Sequence, residues 1–328
     1  MNWLVRRFVT GLVIILIAMT FTFFLIRLMP GNAVQYLISQ LIQTATIPLE
    51  QAYQQVRAIY GIDMDLPLGK QYLQYVWGLA HGNLGNSILY PRTPVVSILA
   101  QAVPWTLFLV GISTLLSFSI GILLGLLAAY RRNTPVDKSL TFTASVLRAI
   151  PDYLVAIFLL YYLAAINPIF PFGGNYDASL TPGWNLEFII SVIHHSLLPI
   201  ISFTITAFGG WLLNMRANTV SVLGDDYIVA ARARGIKDRV LTLDYVGRNA
   251  ILPLFTGLAL SLGYMFGGVV FIETIFSYPG IGFYLMTAVN GRDYPLMQGA
   301  FLLITTAVVL SNIIADLLYG WLDPRIRE

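Results

Sequence analysis

The sequence offers few groups able to do chemistry. His194 and His195 are adjacent and His81 stands alone. Imidazoles bind transition metals, but consecutive residues on a helix point in different directions, so His194 and His195 make a poor ligand pair. They read as markers of the outer end of an apolar segment. The chain has no cysteine, which removes disulfides, thiolate metal sites and a cysteine nucleophile. The phosphate-binding pattern G-x-x-x-x-G-K-[ST] is absent; Leu68-Gly69-Lys70 is the nearest approach and lacks the upstream glycine. Neither H-E-x-x-H nor G-x-S-x-G occurs. Three charged residues, Arg148, Glu273 and Asp316, fall within or at the ends of apolar stretches, where charges are functional candidates. The plainer reading puts them near interfaces or in structural pairs, with Arg148 and Asp316 at similar depth as candidate partners. No catalytic residue, no metal site and no cofactor on this chain are expected.

The elements that would carry such groups are apolar. Of 328 residues, 57% are hydrophobic and 11% charged, against about 25% charged in a soluble chain. The surplus apolar surface must face lipid. Six segments reach the ~20 residues that a membrane-crossing helix needs: approximately Phe8–Leu28, Pro104–Tyr130, Leu140–Ile166, Ile190–Asn214, Ala250–Glu273 and Leu296–Leu322. Pro151 and Pro199 interrupt the third and fourth. The first has a basic start at Arg6 and Arg7 and no small-residue cleavage pattern, so it reads as a retained signal-anchor.

Orientation follows the basic residues. With the N-terminus inside, the inner segments hold 13 Lys and Arg: Arg6, Arg7, Arg131, Arg132, Lys138, Arg216, Arg232, Arg234, Lys237, Arg239, Arg248, Arg325 and Arg327. The outer segments hold 5: Arg27, Arg57, Lys70, Arg92 and Arg292. The expected fold is therefore an all-α integral membrane protein with six transmembrane helices and both ends cytoplasmic. Residues 1–28 form the first helix, 29–103 an external helical segment, and 104–328 a five-helix core with a cytoplasmic loop at 215–250. In the external segment, a helix is expected from Thr46 to Gly61. A second, amphipathic one over Pro67–Leu79 carries Leu68, Tyr72, Tyr75, Val76 and Leu79 and would lie on the outer membrane surface. Ser113, Ser117, Gly121, Gly125 and Ala129 recur every fourth residue, and Gly263 and Gly267 repeat the pattern. Such stripes are contact faces in lipid, toward this chain or toward another subunit.

The cytoplasmic loop carries its own short helix. Asp225 is placed to cap it with its carboxylate, Asp226 and Tyr227 open it, and Gly235 ends it in a left-handed conformation. Ala230, Ala231 and Ala233 let its backbone approach another surface closely. A helix this short is marginal alone in water, so it reads as a docking element held by two membrane helices and a partner. Asp238 caps a further short helix through Leu241 and Tyr245, and Ile251-Leu252-Pro253 opens the fifth span with its proline near the first turn.

Tyr227 to Gly235, followed by Asn249-Ala250-Ile251-Leu252-Pro253, resembles the cytoplasmic loop of ABC importer permeases, whose pattern is E-A-A, a glycine, then I-x-L-P. Val229 stands at the acidic position, as in the dipeptide, oligopeptide and nickel subgroup. Four further places resemble that subgroup: Arg27-Leu28-Met29-Pro30-Gly31; Gly82-Asn83-Leu84-Gly85-Asn86-Ser87; Glu273 to Gly282; and Arg292-Asp293-Tyr294-Pro295 with Leu322-Asp323-Pro324-Arg325. The resemblance implies a pore shared with a second, homologous permease subunit as a heterodimer. It also implies two cytoplasmic ATPases that hold ATP and Mg, an external solute-binding protein, a multi-pass place in the cell membrane, and no nucleic acid. It makes Asp225, Asp226, Tyr227, Ala230, Ala231, Arg234 and Gly235 the ATPase-coupling helix. It places Glu273, Tyr278, Pro279, Gly280, Gly282, Arg292 and Asp293 on the outer gate and binding-protein side. The substrate class it implies is peptides, with oligosaccharide or nickel complexes as alternatives. An ion-coupled secondary carrier is the reading from another class, and it would call for midplane charges and matched broken helices.

Overall fold

The computed structural model describes residues 3–29 and 66–322, with positions 38, 42, 48–51 and 54 between them. The helix expected from Thr46 to Gly61 falls largely outside the described residues, as do Pro30, Gly31 and residues 323–325. No strand is found among the described residues, and the one β feature is an isolated antiparallel bridge between Asn86 and Pro94. The chain forms two compact units, residues 1–106 with 279–310 and residues 107–278 with 311–328.

In the first unit, α1 (Trp3–Leu28) receives α2 (Leu68–Ala80). Pro67 stands at the α2 N-cap, where a missing N–H costs nothing. Part of the expected amphipathic face packs on α1. Tyr72 and Tyr75 pack their rings at 5.2 and 5.4 Å from Phe23, which is fully buried. The Tyr72 hydroxyl lies 2.8 Å from Thr20 Oγ1, and Arg27 Nε donates to Gln71 Oε1 at 2.9 Å. Leu73 and Trp77, one turn apart on the other side, remain exposed.

Two long helices serve both units: α3 (Val95–Tyr130) and α11 (Tyr294–Leu322). The second unit adds α4 (Pro135–Ala149), α5 (Asp152–Leu160, running into a π turn at Tyr161–Ile166) and α6 (Leu186–Val222). Beyond these lie α7 (Asp226–Ala233), α8 (Asp238–Val240, running into a π turn at Leu241–Gly247) and α9 (Arg248–Ile275). Finally α10 (Ile281–Gly291) belongs to the first unit.

The expected third span is not one helix. Helices α4 and α5 meet at 90°. Proline disfavours the helical conformation in the residue before it, and Ile150 is accordingly extended at ψ 124° ahead of Pro151. Pro199, in contrast, lies inside the unbroken 37-residue α6. At 1.5 Å per residue that helix spans about 55 Å against a hydrocarbon core of ~30 Å, so it is longer than one crossing needs. Pro253 sits in the second turn of α9 rather than at its start, because the π turn before it continues the helical path. Among the described residues, four helices are long and apolar enough to cross a membrane, or five with the bent pair as one.

Candidate functional site

The short helix α7 forms where its sequence places it, with different fastenings from those expected. Asp225 occupies the N-cap, but its carboxylate makes no cap bond. Its backbone carbonyl accepts from Ile228 N at 3.0 Å and Val229 N at 3.3 Å, and the side chain is exposed to solvent. The C-terminus follows the expected design. Gly235 has φ +76°, its N–H donates to the Arg232 carbonyl at 3.0 Å, and Ile236 N donates to the Ala231 carbonyl at 3.4 Å. That pair of bonds is the Schellman arrangement, which needs a residue able to take a left-handed conformation.

One face of α7 is seated. Ile228 and Ala231 pack with Leu241 and Val246 of the following π turn and with Val222 and Leu223 at the end of α6. Burying Ile228 contributes roughly 1.5–3 kcal/mol, enough to hold a helix that would be marginal alone. The other face carries Asp226, Tyr227, Val229, Ala230, Ala233 and Arg234, all exposed. Ala231 is thus a seating residue, and Ala230 belongs to the free face. Arg232 reaches Asp238 at 3.7 Å, an exposed pair. A cavity beside the base of α7 is lined by Tyr130, Arg131, Leu223, Arg232, Asp238 and Thr242.

The small-residue stripe resolves in favour of this chain. A Cβ on Gly121 would strike Trp211 Cβ and stand 2.8 Å from the Phe208 carbonyl oxygen. One on Gly125 would meet the Leu212 oxygen at 2.6 Å and Met215 Cβ at 2.7 Å. The stripe, with Ser113 and Ser117 fully buried above it, is therefore where α3 lies on α6. Gly263 and Gly267 lie on α9 in a stretch whose side-chain surroundings are outside the described residues.

An ion pair that sequence reasoning missed joins α4 to α6. Arg216 Nε and Nη2 donate to Asp137 Oδ1 and Oδ2 at 2.6 and 2.8 Å. Asp137 is 3% exposed and also accepts from Asn133 N at 3.0 Å and Thr141 Oγ1 at 3.2 Å. Its one sequence signal was being the sole acid in the basic run 131–138. Arg148, by contrast, is exposed, and among the described residues no ion pair joins it to Asp316. The expected pairing is not made.

Of the seven outer-side residues, Glu273, Tyr278, Gly280, Gly282 and Asp293 are buried, while Pro279 and Arg292 are half-buried. In the second unit, the Tyr278 hydroxyl lies 3.2 Å from Ser196 Oγ on α6, and burial pushes the phenol up to about 12. Gly174 N donates to the Phe276 carbonyl at 3.0 Å. In the first unit, Asp293 caps α11 by accepting from Leu296 N at 3.0 Å. Its other oxygen accepts from Ser87 Oγ, from Ile88 N at 2.9 Å and from Leu89 N at 3.0 Å. Two segments singled out separately, 82–87 and 292–295, thus converge on one carboxylate. His194 and His195 turn to different backbone oxygens, of Ile169 at 3.0 Å and Ser191 at 2.8 Å.

Several helices long and apolar enough to cross a membrane are the build of an integral membrane protein. Residues 121–328 match the family described as binding-protein-dependent transport system inner membrane component, and residues 1–110 match that system's N-terminal membrane component. The chain is 32% identical over 326 residues to the oligopeptide transport system permease protein AppB of Bacillus subtilis, covering 99% of each. It is 31% identical over 327 residues to a putative peptide permease protein of Brucella suis, covering 100% of this chain and 99% of the relative. To the dipeptide transport system permease protein DppB of Escherichia coli it is 31% identical, covering 94% of this chain and 93% of the relative. The chain belongs to the family of binding-protein-dependent transport system inner membrane components. It is a multi-pass permease subunit of an ABC importer and not an enzyme.

Proposed function

We propose that this permease forms one half of a peptide-conducting pathway, paired with a second homologous permease subunit as a heterodimer. An external solute-binding protein delivers the peptide. Two cytoplasmic ATPases hold ATP and Mg and supply the work. The chain crosses the membrane six times with both ends inside, by α1, α3, the bent pair α4–α5, α6, α9 and α11. The 28 residues of α9 are ample for a crossing. Residues 1–28, 29–103 and 104–328 act as anchor, external helical segment and permease core, and 215–250 is the coupling loop.

The observation that carries this reading is α7. It is capped at its C-terminus and seated through Ile228 and Ala231, while a mixed face with Val229, Ala230 and Ala233 between Asp226 and Arg234 stays exposed. A groove on an ATPase is the occupant proposed for that face. The segment from Glu273 to Asp293 is placed on the outer side, near the outer gate and the docked binding protein. Peptide as the solute is supported by the names of the full-length relatives, since nothing in the packing selects a substrate.

Two measurements test the reading. A cysteine placed at Ala230 should react with a membrane-impermeant maleimide in inside-out vesicles stripped of the ATPase and stay unlabelled in intact cells. The chain should copurify with an ATPase subunit whose activity rises with peptide-loaded binding protein. Labelling from outside intact cells, or transport driven by an ion gradient with no ATPase present, would sink it.

A further inference from the structure

Helix α7 is tied to α6 with little slack. Only Leu223, Gly224 and Asp225 separate them, and Gly224 N and Asp225 N donate back to Ser221 and Val222 carbonyls at 3.1 Å each. With Val222 and Leu223 packed on the Ile228–Ala231 face, a displacement of α7 must move the end of α6.

The second half of α6 is fastened to α4 at two points. The Ala144 carbonyl oxygen lies 2.5 Å from where a Gly209 Cβ would stand, and Asp137 binds Arg216. Asp137 and Ala144 are seven residues apart on α4, and so are Gly209 and Arg216 on α6. The two contacts therefore fall in matched register on antiparallel helices, about 10 Å apart. The two contacts differ in kind. A backbone approach at a glycine can slide. A two-bonded guanidinium–carboxylate fork fixes direction as well as distance.

Asp137 is buried and Arg216 is 28% exposed, and an ion pair so placed is a weak source of stability, because desolvation and solvent screening offset its attraction. An apolar pair would hold α4 and α6 together equally well, so what the fork adds is register. Past α4, Ile150 and Pro151 turn the chain by 90° into α5. We propose that Asp137 and Arg216 are positioning residues for transport: their fork makes α4 and the end of α6 one body, so that movement of α7 is delivered to the bend at Ile150–Pro151 and to α5. This rests on the reading of α7 as the coupling helix.

The test uses the complete transporter in proteoliposomes, with ATP hydrolysis stimulated by peptide-loaded binding protein and peptide uptake measured together. Asp137→Asn and Arg216→Gln should each keep stimulated hydrolysis within about threefold while uptake per ATP falls about tenfold, in the range of coupling energies between sites. Asp137→Glu, which retains the charge, should recover most of the lost uptake. Unchanged uptake per ATP in both neutral variants overturns the proposal. So does a parallel fall of hydrolysis and uptake with a lowered melting temperature, which would make the pair merely structural. Ala230→Arg, on the free face of α7, separates the two levels. If it leaves stimulated hydrolysis intact, the coupling-helix reading fails. If it abolishes stimulation while Asp137→Asn behaves as the unaltered protein, the positioning role alone fails.

Discussion

The side-chain amide of Asn249 donates to the Tyr227 phenolic oxygen at 2.8 Å and to the Tyr245 carbonyl at 3.0 Å. Tyr227 begins the first half of the cytoplasmic signature and Asn249 the second. The bond fastens Tyr227, in the first turn of α7, to the start of α9, while Ile228 and Ala231 fasten the helix to α6 and the π turn. Helix α7 is thus held between two long helices, which a lever between an ATPase and the membrane spans requires.

Adjacent alanines on α7 should then behave oppositely. Ala231 is 7% exposed against Leu241 and Val246. Ala231→Trp has no room, and overpacking of this kind costs roughly 1–3 kcal/mol or more. The expected result is a lower melting temperature in detergent and lost uptake. Ala230 is exposed, so Ala230→Trp should leave the melting temperature unchanged while removing ATPase association and uptake. Copurification of the ATPase and a thermal melt on each variant check this. Equal behaviour of the two would show that the helix is oriented otherwise.

How legible these features were differs by element. The long apolar runs were plain, because lipid demands ~20 apolar residues and nothing else in a chain does. The start and stop of α7 were plain too, since Gly235 is the one residue type at ease with φ +76°. Which alanine faced inward was not. An eight-residue helix with Ala at three of eight positions has little pattern to orient it. The carboxylate cap expected at Asp225 is not made; the N–H of Ile228, which it could have held, goes to the Asp225 backbone carbonyl. Pro151 and Pro199 look alike in sequence, yet only the first breaks its helix, because neighbours decide whether a proline's freed carbonyl is tolerated. The fork between Asp137 and Arg216 joins residues 79 apart and leaves no local trace.

The α3–α6 seam predicts a pair of glycine substitutions with opposite signs. Gly125→Val places two methyls where even a Cβ would meet Leu212 O at 2.6 Å and Met215 Cβ at 2.7 Å. Backbone cannot yield cheaply, and a loss of about 1–3 kcal/mol is expected. Gly111, on the same helix, has nothing within 4 Å of its would-be Cβ. Gly111→Ala should be neutral or stabilising by up to ~1 kcal/mol, since alanine loses less backbone freedom in a helix. Melting temperatures of the two variants in one detergent decide it.

Asp293 is fully buried and serves three backbone N–H groups and one hydroxyl. Asp293→Ala leaves those donors without an acceptor, at about 1–3 kcal/mol for each one left buried and unpaired. Ser87→Ala removes one donor to the carboxylate and the acceptor of Tyr90 N at 3.0 Å, and leaves Asp293 its three backbone bonds, so its cost should be about 1–3 kcal/mol in all. A thermal melt should rank Asp293→Ala far below Ser87→Ala. Limited proteolysis should show new cleavage in 82–94 for the first variant only.

Tyr278 makes a pH prediction. It is fully buried beyond the end of α9, with its hydroxyl on Ser196 Oγ. Desolvation is the largest influence on it, followed by the Ser196 bond, which pulls the other way, and the Glu273 charge. The folded phenol titrates at about 12, against about 10 for an exposed tyrosine. The folded state therefore holds this proton more tightly than the unfolded chain does. The resulting stability is fully present below pH 10 and is lost as pH rises from about 10 toward 12. Tyr278→Phe removes that titration. The variant should melt slightly below the unaltered protein at pH 8, by the worth of one hydrogen bond, about 0.5–1.5 kcal/mol. Its melting temperature should then fall less steeply between pH 9.5 and about 11, so that the two curves converge. Parallel curves across that range would mean that the phenol ionises as freely in the folded protein as in water.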